Sequence, residues 1–516
     1  MTDTKHQENQ VQNVEEASGH RLGLMDVVPR LEKPWIYYPH LVKLNLLLCG
    51  ALLTQVTSGY DGGMINNMQS LPLWQSYFGE PKGARLGTMS NGLTIGTLCS
   101  VPFISILSEK FGRRVPVLVG TFVAIIGAIL QGAAQNFSMF MGARILLGFG
   151  TGLSTASAEV FLTECAYPTQ RPTFVGLLQA GYPMGTFLGA LVTWGPYNSH
   201  LKNTNWSWRL PSLLQAFFPL IQFILFLMGP ESPRFLIAKN KHDKAKEFFV
   251  KYHGAGNPDS PLVNYQMAEI SATIEAEQIQ KSSKWLEWFR TRAMIHRFCI
   301  VIGLAPMIQL CGNSIISYYL SVMLNGIGIT SSITKLKINL GVSAWGLIWD
   351  VGTASIIYRT RRKLLFILGF LSMGVVYVIY TILSALIQKR DFTDHPLAYG
   401  AVVMIFAFQG FYHLASPVAI TYYMEICPFS LRAKGSLLYT LTGQLASLFN
   451  LYVNPIAMVA ITWKYYIVWD IWLFCMAAIV YFGFPETHGV SLEEVAQVFG
   501  DYAVDSEEVF QKHQSV

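Results

Sequence analysis

The sequence predicts an all-α integral membrane protein of about twelve transmembrane helices in two six-helix halves. The 516 residues are 52% hydrophobic and only 13% charged, with a mean hydropathy of +0.36, which is too apolar for an ordinary soluble domain. Apolar windows of about 20 residues, the length that crosses a bilayer core, recur along most of the chain. Charged motifs also recur in the same order in both halves, which indicates a duplication.

The apolar windows define the expected domain order. The spans are predicted near 41–63, 86–107, 115–134, 139–162, 173–195, 209–228, 297–325, 338–357, 364–388, 397–424, 433–459 and 464–484. The chain then divides into a tail at 1–40, a six-helix bundle at 41–228, a polar segment at 229–296, a second bundle at 297–484 and a tail at 485–516. Helical periodicity and mixed charge predict amphipathic helices in the polar segment, acting either as linkage or as a brace for an inner gate.

Charge around the polar segment predicts the orientation. Residues 1–40 are polar, so we expect no cleavable signal peptide, and the first span directs insertion. Cations flank the segment as the positive-inside rule requires of a cytosolic loop: Arg234, Lys239, Lys241, Lys244, Lys246, Lys281, Lys284, Arg290 and Arg292. With an even number of spans both termini are cytosolic, and the sequon at Asn205 is an external glycosylation candidate. The net charge of +6 fits these flanks beside a lipid bilayer, and no nucleic-acid partner is expected.

Three pairs of charged motifs carry the duplication. ECAYPTQR, GPESPR and EKFGRR in the first half match EICPFSLR, FPETHG and YRTRRK in the second. Parallel repeats of this kind are typical of transporters. Glutamates and arginines at inner helix ends can form ion pairs that close one face of a transporter, although topological charge and helix capping are the alternative. The candidate gating residues are Glu109, Arg113, Arg114, Glu164, Arg171, Glu231, Arg234, Arg361, Arg362, Glu425, Arg432 and Glu486.

At these motifs the chain resembles the sugar porter family of the major facilitator superfamily, over nearly its whole length. SEKFGRR, RILLGFGTG, ECAYPTQR, GPESPRFL and FPETHG carry the resemblance. Within that family, QLCGNSIISYYL, KYHGAGNPDSPLV, EICPFSLRAKG and NLYVNPIA are most similar to fungal lactose permeases and cellodextrin transporters. The resemblance implies the major facilitator fold and proton-driven sugar uptake at a fungal plasma membrane.

Some positions depart from the family's pattern. Ile420 replaces a tryptophan that hexose-transporting relatives place against the sugar ring, which argues against glucose. Glu159 and Asp350 stand where related sequences usually carry Pro and Asn, so two extra acids lie at membrane depth. Glu159 and His413 read as isolated titratable groups in apolar surroundings, and an isolated histidine in a bundle is more often a packing residue than a proton relay.

Asp61 is the first candidate for proton coupling. It lies at the outer end of the first predicted span beside a run of small residues, and a carboxylate at membrane depth can be switched between protonation states by moving a cation. Arg144 in the fourth span is the expected partner, and the resemblance matches Asp61 and Arg144 to the coupling pair of proton-driven sugar porters. The alternative is an interfacial aspartate in water and an arginine that extends to the membrane surface.

Amide and aromatic side chains in the spans are candidates for substrate binding. Sugars are dense in hydroxyls, so their sites need groups that both donate and accept hydrogen bonds. The candidates are Gln179, Gln309, Asn313, Ser314, Tyr318, Gln444 and Asn450. The resemblance matches Gln179 and Gln309 to sugar-contacting positions, whereas Gln444 lies one residue past the family's glutamine. Hydrogen bonding between helices is the alternative role for all of them.

The function expected from these residues is proton-coupled symport of a sugar, such as the disaccharides lactose or cellobiose, by a monomer working through alternating access. The alternative keeps the fold and changes the substrate to another small polar molecule or specialised metabolite, in export. A non-transporting sensor would need a longer cytosolic tail than the expected one at 485–516. No enzyme is expected, because HExxH, GxSxG and P-loop patterns are absent. No cofactor or metal is expected either, since the seven cysteines lack metal-ligand spacing.

Overall fold

The chain is helical throughout the part that the structure, a computed structural model, describes. That part comprises residues 27–29, 32–280, 285–356, 360–392, 394–428, 431–487 and 499, and for 275–280, 354, 355, 432 and 433 only the backbone is described. The helices are α1 (Pro39–Met68), α2 (Pro72–Tyr77), α3 (Gly83–Phe111), α4 (Arg114–Gly132), α5 (Phe137–Cys165), α6 (Arg171–Tyr197), α7 (Trp206–Leu214), α8 (Phe217–Met228), α9 (Pro233–Ala238), α10 (His242–Tyr252), α11 (Pro261–Gln280), α12 (Arg292–Gln309), α13 (Asn313–Asn325), α14 (Ser332–Ile356), α15 (Arg362–Lys389), α16 (His395–Ile426), α17 (Arg432–Ile461) and α18 (Lys464–Gly483).

The chain forms two compact units. The first comprises residues 1–64 and 92–282, and the second comprises 65–91 and 283–516. Helices α1 and α3 therefore each contribute to both units, and the connection between them belongs to the second. The apolar windows place the boundary between the two predicted bundles in the polar segment at 229–296. That division stays a prediction.

In the part of the chain that the structure describes, eleven stretches are long and apolar enough to cross a membrane. They coincide with eleven of the predicted windows, with α7 and α8 forming one stretch and α12 and α13 another. The twelfth window corresponds to α14, whose Asn339 and Asp350 make it more polar than the others. At 1.5 Å per residue its 25 residues extend about 37 Å, enough for a hydrocarbon core of about 30 Å.

Two of the predicted spans are broken in the middle. The window at 209–228 is interrupted at Gln215 and Ala216, and the window at 297–325 is interrupted before α13. At the second break Gly312 has φ +89°, a left-handed conformation that glycine adopts without the steric cost of a Cβ. Cys311 and Gly312 are both buried. Irregular backbone is tolerated at membrane depth where protein surrounds it.

A third irregularity lies within α13, where Tyr319 has non-helical dihedral angles. The side chain of Asn66 inserts into the backbone ladder at this point. The amide of Leu320 donates to Asn66 Oδ1 at 3.2 Å, and Asn66 Nδ2 donates to the carbonyl of Ile316 at 3.1 Å. One asparagine thus satisfies both groups that the kink separates, a recognised cause of helix kinks. The sequence analysis missed Asn66.

Glycines in α5 allow close helix packing within the first unit. A Cβ on Gly148 would lie 2.1 Å from the carbonyl oxygen of Leu93 in α3, and one on Gly150 would lie 2.5 Å from the carbonyl oxygen of Gly120 in α4. Real Cβ atoms do not approach backbone this closely, so these positions accept only glycine. The run of glycines is a helix-packing surface and not a nucleotide loop.

The polar segment forms α9, α10 and α11, as its periodicity predicts. Phe248 and Phe249 of α10 are buried in one cluster with Leu44 of α1 and Phe161 of α5. His253, just after α10, is fully enclosed: Nδ1 lies 2.8 Å from Gln266 Oε1 and Nε2 lies 3.3 Å from the carbonyl of Cys165. Burial lowers the pKa of His253 to about 4. These helices are therefore an integral part of the first unit.

Candidate functional site

Asp61 and Arg144 form a buried ion pair in the first unit. Arg144 Nη1 donates to Asp61 Oδ1 at 3.0 Å, and Nη2 donates to Oδ2 at 2.9 Å. Both residues are 0% exposed. The alternative of a solvated aspartate with an arginine extending to the surface is therefore excluded. Bidentate geometry is the strong form of this interaction, and in a low dielectric each charge depends on the other.

Gln215 completes this group, and sequence reasoning missed it. Its Nε2 donates to Asp61 Oδ1 at 2.9 Å, and it occupies the break between α7 and α8. Beside it, Tyr60 donates from its hydroxyl to the carbonyl of Pro211 at 2.9 Å. Gly92 makes room for the arginine, since a Cβ there would lie 2.7 Å from the Cβ of Arg144. A glutamine inside an apolar window was the available signal.

A second carboxylate lies in the first unit on the same two helices. Gln55 Nε2 of α1 donates to Glu159 Oε1 of α5 at 2.7 Å. Glu159 is partly exposed, and no cation pairs with it among the described residues. The sequence interpretation of Glu159 as isolated is wrong, because an amide from the facing helix binds it.

Four of the candidate gating residues form a network at helix ends in the first unit. Arg113 binds Glu164 through Nη2 at 3.1 Å and Nε at 3.2 Å, and Ser232 Oγ also donates to Glu164. Glu231 accepts from the backbone amides of Arg113, Arg114 and Ser232 at 2.8–3.3 Å. Burial raises the pKa of Glu231, opposed by these hydrogen bonds. Glu231 therefore caps the amino terminus of α4.

The second unit repeats this arrangement with different residues. Arg362 binds Glu425 through Nη2 at 3.3 Å, and Thr487 Oγ1 donates to the same carboxylate. Glu486 accepts from the backbone amides of Arg362 at 2.9 Å, Lys363 at 3.2 Å and Thr487 at 3.1 Å. Glu486 thus caps α15 as Glu231 caps α4. The motif pairs found in the sequence build equivalent contacts, so ion pairing and helix capping both operate.

The side chains of the other gating candidates are placed differently. Glu109 and Arg361 are exposed, and neither forms an ion pair within the described residues. Arg171, at the start of α6, contacts no carboxylate there, and Arg234 lies in the first turn of α9. The side chain of Arg432 lies outside the described residues. Arg114 donates its guanidinium to the carbonyls of Phe226 and Leu227 at the end of α8.

Three of the substrate-binding candidates meet at the break between α12 and α13. Asn450 Nδ2 of α17 donates to the carbonyl of Gln309 at 2.7 Å and to Ser314 Oγ at 2.8 Å. Asn313 is the first residue of α13 at the same break. The carboxamide oxygens of Asn313 and Asn450 are buried and accept no hydrogen bond within the described residues. Two acceptors are therefore available for a ligand that donates hydrogen bonds.

The other substrate candidates are placed differently. Tyr318 contributes its carbonyl to Gln69 Nε2 at 2.6 Å, Gln444 lies part-buried on α17, and Gln179 is exposed on α6. A cavity of about 200 Å³ in the second unit is lined by Gln69, Trp74, Ser321 and Asn325, and does not include Gln309 or Asn450. We therefore take the cluster of side-chain amides at the break between α12 and α13 as the candidate binding site, and not this cavity. Asn205 is exposed and precedes α7, so the sequon is accessible.

His413 is not isolated either. Its Nδ1 lies 2.6 Å from Asp350 Oδ1, so the two residues that sequence reasoning left unassigned contact each other across α14 and α16. The interpretation of His413 as isolated is wrong, because a carboxylate on the facing helix accepts from its ring.

Comparisons with known proteins agree with this architecture. A family model described as Sugar (and other) transporter matches residues 47–499. The chain is 27% identical over 471 residues to the MFS-type transporter criB of Aspergillus cristatus, covering 89% of this chain and 94% of that protein. It is 25% identical over 486 residues to the high-affinity glucose transporter of Kluyveromyces lactis, covering 90% and 86% respectively. A structure of the xylose transporter XylE from E. coli, inward open and partially occluded, matches with a TM-score of 0.71 at 18% identity, covering 87% of this chain and 100% of that chain.

The fold is that of the major facilitator superfamily, a class of multi-pass membrane transporters. Because the family model spans most of the sequence, the chain belongs to the sugar (and other) transporter family. It is thus a transporter and not an enzyme. The finer resemblance to lactose permeases and cellodextrin transporters stays a prediction.

Proposed function

We propose that this protein is a proton-coupled sugar symporter that works by alternating access. The observation that carries the proposal is the buried group of Asp61, Arg144 and Gln215, in which one carboxylate depends on one arginine from another helix. When the arginine moves away, an ionised carboxylate at membrane depth is unfavourable and takes up a proton. One solved structure of the same fold is described as the proton:xylose symporter XylE.

The substrate proposed is a sugar, and specifically a disaccharide such as lactose or cellobiose. The amides at the α12–α13 break offer acceptors through Asn313 and Asn450, and sugar hydroxyls are suitable donors. Ile420 offers no aromatic face, which favours a substrate other than glucose. Relatives named as glucose and hexose transporters support sugar as the substrate class. The disaccharide follows from the sequence resemblance alone.

The two inner networks are proposed to act as clamps during alternating access. In each unit one arginine and two glutamates tie the starts and ends of neighbouring helices together. A clamp of this kind keeps the inner ends of one unit aligned while the transporter changes conformation. Glu231 and Glu486 have the same role in this proposal. Each caps a helix, and loss of either residue destabilises the unit that contains that helix.

The protein is proposed to work as a monomer in the plasma membrane, with both termini cytosolic and Asn205 glycosylated outside. The cations flanking the polar segment support a cytosolic α9–α11 region. Fungal relatives with names of nutrient transporters support the location. A shift in electrophoretic mobility on glycosidase treatment, absent in Asn205→Gln, tests the orientation directly.

A second candidate is transport of a different polar molecule, or export of a specialised metabolite. Glu159 favours it, because a partly exposed carboxylate without a paired cation suits a substrate that carries a positive charge or several hydrogen-bond donors. If the substrate is of this kind, Glu159→Gln abolishes its transport. If the substrate is a sugar, Glu159→Gln leaves sugar transport unchanged.

The deciding experiment is uptake of radiolabelled lactose, cellobiose and glucose by transporter-deficient yeast, with and without a protonophore. Saturable disaccharide uptake that the protonophore abolishes, and that Asp61→Asn also loses, supports the symporter. Sugar counterflow should persist in Asp61→Asn, since exchange needs no net proton movement. Uptake indifferent to both treatments refutes proton coupling, and no uptake by surface-localised protein refutes the sugar assignment.

A further inference from the structure

The contact between His413 and Asp350 is part of a three-residue group in the second unit. His413 Nδ1 lies 2.6 Å from Asp350 Oδ1, and Nε2 lies 2.9 Å from the side-chain nitrogen of Gln409. The histidine and aspartate side chains are 12% and 16% exposed. Both ring nitrogens therefore have a polar partner, in a place where water has little access.

The charge balance of this group differs from that of Asp61. Arg144 supplies Asp61 with a permanent positive charge, whereas no Lys or Arg contacts Asp350 or His413 among the described residues. With a neutral imidazole the group carries a net charge of −1 inside a membrane-spanning helix pair. One added proton gives an imidazolium beside a carboxylate, with a net charge of zero, which is the less costly state at membrane depth.

Gln409 can serve both protonation states of the ring. Its NH₂ donates to an unprotonated Nε2, and its Oε1 is buried without a hydrogen-bond partner within the described residues. Rotation of the carboxamide by half a turn brings Oε1 to the ring, where it accepts from a protonated Nε2. The amide thus makes one hydrogen bond to the ring whether or not the proton is bound.

The surroundings give the imidazole room and place no further charged group beside it among the described residues. Gly346 of α14 makes room for the ring, since a Cβ there would lie 2.7 Å from His413 Nε2. Other titratable side chains on this part of α16 and on the segments around it are phenols and one thiol, which are uncharged at neutral pH: Tyr412 on α16 itself, and Tyr377, Tyr439 and Cys311.

We propose that His413, Asp350 and Gln409 form a second proton-binding site, in the unit that does not contain Asp61. The proton binds Nε2 of His413, and Asp350 stabilises the imidazolium by accepting from Nδ1–H. Gln409 rotates its carboxamide so that Oε1 accepts from the protonated Nε2. Histidine is the residue whose ordinary charge change falls between about pH 5 and 8. Its effect on transport rests on the proposed proton coupling, whereas proton binding itself does not.

The test is a histidine NMR titration of the full-length protein in lipid nanodiscs. The chain has 11 histidines, and the resonance missing from His413→Gln identifies this one. We expect that resonance to titrate by one proton between about pH 5 and 8. In Asp350→Asn the ring should bind its proton about tenfold more weakly, because a neighbouring opposite charge no longer stabilises the imidazolium.

Two further variants separate proton binding from a structural role. Gln409→Leu removes no titratable group and should still change the titration midpoint, while Gly346→Ala should displace the ring and do the same. A His413 resonance that stays constant from about pH 5 to 8, or the same midpoint in wild type and Asp350→Asn, overturns the proposal. The titration needs no transport substrate, so its failure is distinct from a failure of the uptake assay.

Discussion

Replacement of Glu231 tests whether a carboxylate from the end of one span stabilises the start of another. The structure gives Glu231 three backbone amide donors, from Arg113, Arg114 and Ser232, at the amino terminus of α4. Glu231→Ala removes these acceptors and the negative charge beside the helix dipole. Glu231→Gln keeps an acceptor oxygen and removes only the charge, so the two variants separate hydrogen bonding from electrostatics.

The size of the effect follows from these contacts. Loss of a helix N-cap costs about 0.5–2 kcal/mol, and loss of a favourable charge at the helix terminus costs about 0.3–1 kcal/mol. We therefore expect Glu231→Ala to destabilise the first unit by about 2 kcal/mol and Glu231→Gln by about 1 kcal/mol. For a unit of this size, 2 kcal/mol lowers Tm by about 4–8 °C.

Thermal unfolding of purified protein in detergent, followed by intrinsic fluorescence, measures this difference. Glu109→Ala, in the last turn of α3, is the matched control, because Glu109 is exposed and forms no ion pair within the described residues. Glu486→Ala should reproduce the effect in the second unit, where Glu486 caps α15. A Tm for Glu231→Ala equal to that of Glu109→Ala would refute the capping role.

Three other changes test separate features. Asn66→Ala leaves the amide of Leu320 and the carbonyl of Ile316 without their partner at the α13 kink, so it should lower Tm by several degrees, and an unchanged Tm would contradict the inserted side chain. Gly148→Ala should prevent folding or surface expression, because its Cβ would lie 2.1 Å from backbone, whereas Gly142→Ala in the same helix meets nothing within 4 Å and should express normally. Since burial lowers the pKa of His253 from 6.5 to about 4, the unfolded state binds a proton more readily than the folded state. Stability from this residue is therefore present above about pH 6.5 and lost as the pH falls towards 4, by up to about 3 kcal/mol, and the pH slope of Tm should flatten in His253→Gln.

Sequence reasoning succeeded where chemistry and repetition agree. Asp61 and Arg144 are opposite charges at membrane depth, where an unpaired charge is costly. Their pairing can therefore be predicted from electrostatics without knowledge of the structure. The networks around Arg113 and Arg362 could be predicted because each motif occurs twice, and both copies build the same contacts. The repeat distinguishes these residues from the many other charged residues of the chain.

Sequence reasoning failed where the structure depends on a local irregularity. Window-averaged hydropathy does not register an interruption of two or three residues, so the breaks at Gln215 and before α13 were missed, and with the first of them the role of Gln215. It does not register the kink inside α13 either, so the role of Asn66 was also missed. His413 and Asp350 were read as separate because the residues lie far apart in the chain and no pattern links them. Only the packing of α14 against α16 brings them together.

The capping glutamates also bear on how the protein is made. Glu231 lies 117 residues after Arg114, and Glu486 lies 124 residues after Arg362. At translation rates of about 5–20 residues per second, the capping glutamate is synthesised roughly 6–25 seconds after the start of the helix that it caps. Each group of spans is thus completed only when its final span has been synthesised. A ribosome stalled before that point leaves an immature product in which one helix lacks its cap.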